Sequence, residues 1–304
     1  MRRRTFIKSA CGLVGSAALT TQLQTPLMAF MSAPDNPYAD TIGLQLWTVR
    51  DQLATDKKAT LKAIANAGYK QVELMDTTQG KDLLPICKDL GLSVTSSFIN
   101  WMAICNPNAG QGPSLDKILE QATEAKLKHL VFGYIAKGFR ETPDQFKRHA
   151  DTANQFGEKC KKAGIQLCYH NHSFEFAPLP NQNPGKKCGY DVLIEELDNE
   201  CCKFEFDVFW GAIGGWKPIE TLKKLKGRVS QVHLKDLKAE VPTIYDEGKV
   251  PAEAFEELGD GMIDMAKVIQ VSSEIGVEQC HVEQDQSPNP LNSIAQSLKH
   301  FQKL

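Results

Sequence analysis

The feature that most constrains this chain is the regular alternation of short apolar runs and amphipathic stretches from Thr41 to the C-terminus. The apolar runs are residues 42–47, 71–75, 93–99, 129–135, 165–170, 203–209, 229–234 and 277–282, and each reads as a strand. Between them, residues 58–67, 115–127, 144–163, 219–226 and 265–275 repeat their apolar positions at helical spacing. Gly68, Gly91, Gly164, Gly227 and Gly276 each stand just before the next strand, where a helix C-cap needs a left-handed residue. Strands alternating with helices predict parallel βαβ units, and eight of them predict an α/β fold, a (β/α)8 TIM barrel of about 250 residues. A doubly wound open sheet is disfavoured, because no Gly-x-Gly-x-x-Gly follows the first strand. The barrel is expected as a single domain over residues 40–304, with residues 238–264 a long loop between strand seven and its helix.

The first 33 residues read differently. Arg2, Arg3 and Arg4 precede Thr5-Phe6-Ile7-Lys8, and a weakly apolar stretch rich in Ala, Gly, Ser and Thr follows to Met31. A charged start followed by an apolar segment is the pattern of a targeting peptide, and Arg3-Arg4-Thr5-Phe6-Ile7-Lys8 resembles a twin-arginine export signal. Thr20, Thr21, Gln22, Gln24 and Thr25 interrupt the apolar run, which argues against a stable membrane span. The expectation is an exported, periplasmic protein with no membrane insertion once residues 1–33 are removed. Nine cysteines include no Cys-x-x-Cys, so zinc-ribbon and thioredoxin chemistry lack support, and Cys168 and Cys280 read as buried free thiols. A formal net charge of -2 gives no electrostatic reason to expect nucleic acid as a partner.

In such a barrel, chemistry gathers at the C-terminal strand ends. Glu73 closes strand two, His170 and His172 strand five, and Asp207 strand six. His233, Lys235 and Asp236 close strand seven, and Glu283 and Asp285 strand eight. His170 and His172 are two apart, so an extended strand turns both to one face. Asp207, His233 and Glu283 each end an apolar run, a costly place for charge unless a metal or partner uses it. Lys235 could pair with Asp236, and Glu73 with Arg50. Trp47, Trp101, Phe209 and Trp210 lie at or beyond strand ends, where flat faces can stack on a sugar ring or simply pack the rim.

Four segments in barrel order carry a family resemblance: Tyr169-His170-Asn171-His172, Phe206-Asp207-Val208-Phe209-Trp210, Val232-His233-Leu234-Lys235-Asp236 and His281-Val282-Glu283-Gln284-Asp285. With the glycine-rich stretch 259–264 and the first strand Gly43-Leu44-Gln45-Leu46-Trp47, the chain resembles the xylose-isomerase-like sugar isomerase/epimerase barrels. The resemblance implies one divalent ion (Mn, Zn, Mg or Co) held by Asp207, His233, Glu283 and a strand-five residue. That fourth position commonly holds Glu, whereas here it is His170, with His172 the alternative. Gln45, Trp47, Trp101 and Trp210 become candidate sugar contacts. Epimerases of this group use two metal-bound glutamates, so loss of one leaves Glu283 as the base, with His172, Lys235 or Glu73 as acid. This asymmetric set favours enolisation of a keto-sugar or 3-keto-glycoside followed by β-elimination. Reprotonation to an isomer is the alternative, and a non-catalytic periplasmic sugar-binding protein is the alternative of another class. Apurinic-site endonucleases of the same barrel need extra early histidines, and strands one to three contain none. Homo-oligomerisation is left open.

Overall fold

The computed structural model describes residues 36–180 and 187–304. The export segment expected over residues 1–33 lies outside them. Eight parallel strands close into a barrel: β1 (Gly43–Gln45), β2 (Gln71–Leu74), β3 (Ser93–Phe98), β4 (His129–Phe132), β5 (Gln166–His170), β6 (Cys202–Asp207), β7 (Val229–Leu234) and β8 (Gln279–Val282). Each pairs with its neighbours in sequence, and β1 pairs with β8 to complete the ring. All eight expected strands are present. Seven are shorter than their apolar runs, and two of these stop where a helical element begins: the chain turns into a 3-10 segment at Leu46–Val49, and β6 gives way at Val208 to the short helix Val208–Ile213.

Side chains alternate along each strand, and the outward set packs beneath the helices. Leu44, Val72, Leu130, Phe132, Leu167, Tyr169, Phe204, Phe206, Val232, Leu234, Cys280 and Val282 belong to that core and are buried. The helices start and stop where local chemistry dictates. Thr142 accepts from the Gln145 amide while Gln145 accepts from that of Thr142, a reciprocal cap for the helix Pro143–Lys162. Gly68 and Gly276 end their helices at φ 113° and 85°, conformations open to glycine at little cost.

The segment 238–264 is more ordered than a plain loop. Asp236–Leu237 and Phe255–Glu256 form a two-stranded antiparallel ribbon. The Asp236 carboxylate accepts from the amides of Leu237, Gly259, Gly261 and Ile263, at 2.9, 2.9, 3.2 and 3.0 Å, and so ties the segment to the end of β7. Cys168 and Cys280 are buried free thiols, as expected. Among the described residues no helix is long and apolar enough to cross a membrane.

Candidate active site

The inward positions of this barrel are unusually polar, where branched apolar residues usually fill such an interior. Gln71, Glu73, Ser96, His170, Glu205, Asp207, Gln231, His233 and His281 are all buried. His233 lies at their centre. Its Nδ1 is 2.9 Å from Glu283 Oε2 and 3.9 Å from Asp207 Oδ2; its Nε2 is 2.7 Å from Glu73 Oε2 and 3.3 Å from Glu205 Oε2. One imidazole therefore spans two layers. Burial favours its neutral form, but the surrounding Glu205, Glu73 and Glu283 outweigh that and hold the ring well above the usual histidine range.

The upper layer comprises His170, Asp207, His233 and Glu283, whose donor atoms lie within 4.8 Å of one another. Two imidazoles and two carboxylates suit a borderline divalent metal such as zinc. His170 Nδ1 faces Glu205 Oε2 at 3.2 Å and Asp207 Oδ2 faces Lys235 at 3.0 Å, both without a full hydrogen bond, so these buried polar atoms are incompletely satisfied and an ion could complete them. The residues thus fit a metal centre, and they favour His170 over His172 as its strand-five member. A second buried group, Glu73, Glu205, His233 and His281, lies beneath with the same spacing.

Lys235 is the local counter-charge. Fully buried, its Nζ lies 2.5 Å from Asp285 Oδ2, 2.7 Å from Glu283 Oε2 and 3.0 Å from Asp207 Oδ2. Burial alone would lift the Glu283 carboxyl, but Lys235 and His233 outweigh it and keep the group ionised. Asp285 is pushed up to about 6, because burial there exceeds the pull of Lys235. The pairing of Lys235 with Asp236 does not form, since the backbone amides occupy that carboxylate. Nor does Glu73 meet Arg50, whose guanidinium bonds the carbonyls of Trp47 and Asp285.

Above these layers opens a cavity of about 650 Å³. Glu283, Asp285 and His172 reach it, as do Gln45, Trp47, Trp101 and Trp210. Glu73 and Lys235 do not line it. Glu73 lies deeper, accepting from Gln45 Nε2 (2.7 Å), Ser96 Oγ (2.5 Å) and the His233 ring, so a role as substrate acid does not fit its place. His172 is pushed down to about 3 by burial and by Lys235, and is a neutral hydrogen-bonding ring beside Trp210 (centroids 5.2 Å). Glu175 accepts from the His172 amide at 2.9 Å and from Tyr169 Oη at 2.7 Å, which fixes the turn carrying that histidine. Sequence reasoning missed Glu205, Gln231 and His281. Each stands two residues before a recognised strand-end residue, so the two-residue repeat of a strand could have found them.

Residues 61–304 match the family model of the xylose isomerase-like TIM barrel. An inosose dehydratase of Clostridium botulinum (strain Alaska E43 / Type E3) is 26% identical over 184 residues, 55% of this chain and only 59% of that relative's length. A sugar phosphate isomerase/epimerase from Parabacteroides distasonis ATCC 8503 superposes with a TM-score of 0.72 at 23% identity, covering 87% of this chain and 94% of that one. The IOLI protein, solved with a binding zinc atom, gives 0.59 at 15% identity and covers 86% of this chain and 96% of its own. At these identities the two structural likenesses establish the fold.

Proposed function

The chain belongs to the xylose isomerase-like TIM barrel family, and from that premise we propose that it is a metal-dependent carbohydrate lyase that enolises a keto-sugar and then eliminates the oxygen substituent β to the carbonyl. The observation that carries this is the asymmetry of the strand ends: His170 occupies the strand-five position, and Glu283 is the one carboxylate of the metal-capable set that reaches the cavity. The similarity to a protein named inosose dehydratase supports elimination, since a dehydratase removes water.

His170, Asp207, His233 and Glu283 would hold the ion. When bound, it supplies Lewis-acid polarisation of the substrate carbonyl. The zinc atom of the similarly folded IOLI protein supports such a centre. Glu73 and Glu205 take up the Nε2 side of His233, which leaves Nδ1, on the side of Asp207 and Glu283, as the nitrogen that would give up its proton to bind an ion. Glu283 removes the proton from the carbon beside the carbonyl. The electrons of that C–H bond pass into an enolate, and its return to the ketone forms the carbon–carbon double bond as the bond to the β oxygen breaks. Glu283 then returns its proton to the departing oxygen, so one carboxylate closes the proton balance. Neutral His172 donates a hydrogen bond within the same cavity, and Lys235 keeps Glu283 and Asp285 in place from below. The twin-arginine-like start supports a site of action outside the cytoplasm.

The test is incubation of the metal-loaded chain with a 3-keto-glucoside in D2O, followed by NMR. Release of the aglycone that is lost in Asp207→Ala, His233→Ala and Glu283→Gln is the expected result. Deuterium entering a new sugar isomer without release would replace elimination by epimerisation.

A further inference from the structure

On the enolising reading above, we infer that the cavity takes an uncharged substrate of two rings. The reacting ring lies at the β5–β8 side, the second ring lies between Trp47 and Trp101, and phosphorylated analogues are shut out. Asp76, Glu247, Glu283 and Asp285 reach the cavity, and among the described residues no lysine or arginine does. The nearby cations are engaged elsewhere, Lys137 and Lys249 with Asp246 at 3.1 and 3.6 Å on the exposed side of the loop. Arg140 bonds both oxygens of Glu247 at 2.8 and 3.1 Å, Arg50 bonds the two backbone carbonyls of Trp47 and Asp285, and Lys235 is surrounded by three carboxylates. A phosphate needs aligned, charged donors. Here it would find no uncommitted charged donor, and Asp76, which has no cationic partner among the described residues, would repel it in a partly dry pocket.

Size and shape argue for the second ring. A volume of about 650 Å³ is in the range that encloses ligands well beyond one sugar ring. The candidate metal residues come from β5 to β8, which leaves the arc over β1, β2 and β3 without a role in the chemistry. That arc carries Trp47, Asp76, Asn100 and Trp101, two indoles with a carboxylate and an amide between them. Trp47 is 45% exposed, an unfavourable state for a large apolar ring, and the Arg50 guanidinium lies 4.6 Å from its centroid on one face. Trp101 is fixed edge-on against Tyr134 and Phe139, at 6.1 and 5.6 Å. Aromatic faces of this kind match the apolar face of a sugar or an aryl aglycone, while Asp76 and Asn100 suit its hydroxyls.

The experiment measures binding by calorimetry and, by NMR in D2O, aglycone release and deuterium uptake, as separate readouts, on the metal-loaded chain. The probes are free 3-keto-glucose, its phenyl β-glycoside and the 6-phosphate of the free sugar. The glycoside should bind at least tenfold more tightly than the free sugar, and the phosphate at least tenfold more weakly. Trp47→Ala, at an exposed position that does not threaten folding, should cut the glycoside preference to two- or threefold. Phosphate bound as tightly as free sugar would overturn the inference. So would a Trp47→Ala loss shared equally by the one-ring and two-ring probes. A tightly bound glycoside that neither releases its aglycone nor takes up deuterium would instead refute the enolising reading, while the order of affinities still decides this one.

Discussion

Replacing Lys235 with methionine removes the site's own cation while keeping most of its volume. The ammonium lies within 3.0 Å of Asp207, Glu283 and Asp285 and is wholly shielded from water. Breaking a buried ion pair from one side typically costs about 3–5 kcal/mol, because the partner charge is left uncompensated. Here three carboxylates lose one shared partner, so about 4 kcal/mol is expected. For a barrel of this size that corresponds to a fall in Tm of roughly 8–16 °C. The loss should depend on metal. Without Lys235 the carboxylates of Asp207 and Glu283 present a more negative site, so a divalent ion binds more tightly and restores part of the stability. Thermal unfolding followed by circular dichroism, at one scan rate and in either chelator or excess Zn or Mn, measures both effects. The metal-induced rise in Tm should be larger in Lys235→Met than in the parent chain. A loss below about 1 kcal/mol in chelator, or an equal metal-induced rise in both proteins, would refute the idea that Lys235 and the ion compensate the same carboxylates.

Glu175 is fully buried and burial pushes its carboxyl up to about 8, against the bonds from Tyr169 and His172 that pull it down. Its folded value lies above the unfolded one. The stability it contributes is therefore complete below about pH 4.5 and is lost as the pH rises through about 8, a change of up to about 5 kcal/mol. Glu175→Gln mimics the protonated group, so stability measured by urea unfolding should become flatter between pH 6 and 9, with the variant the more stable above pH 8; parallel profiles would contradict this. Gly43→Ala places a Cβ 2.3 Å from His281 Cδ2 and 2.8 Å from Gln71 Cγ, so overpacking should cost about 1–3 kcal/mol in the same assay. An unchanged midpoint would mean that His281 moves aside freely.

Much of the architecture is written locally. Alternating apolar runs, the left-handed glycines before the strands and the Thr142–Gln145 cap specify their elements through interactions a few residues apart, so they could be read in order along the chain. The strand-end residues of the upper layer, His170, Asp207, His233 and Glu283, were legible for the same reason, because strand ends face the mouth of any such barrel. Overruns occurred where polar capping competes with apolar pattern. Gln45 accepts from the Trp47 amide, and Asp207 accepts from that of Trp210 at 2.8 Å, so both strands stop inside runs that stay apolar.

What tertiary structure alone decided is depth. Residues two apart on a strand share a face but occupy different layers, and which layers meet across the barrel depends on register. The pairing shifts between Val72 and Glu73 against β3, and between Phe204 and Glu205 against β7. In the closed barrel Glu73 and Glu205 lie beneath His233, and neither lines the substrate cavity. Lys235 passes over its sequence neighbour Asp236 because four backbone amides already hold that carboxylate, while three others converge on the ammonium from β6 and β8. Sequence set which faces are polar through a repeat of two residues; closure of the ring chose the partners, because strands far apart in sequence meet only when every register between them has been fixed.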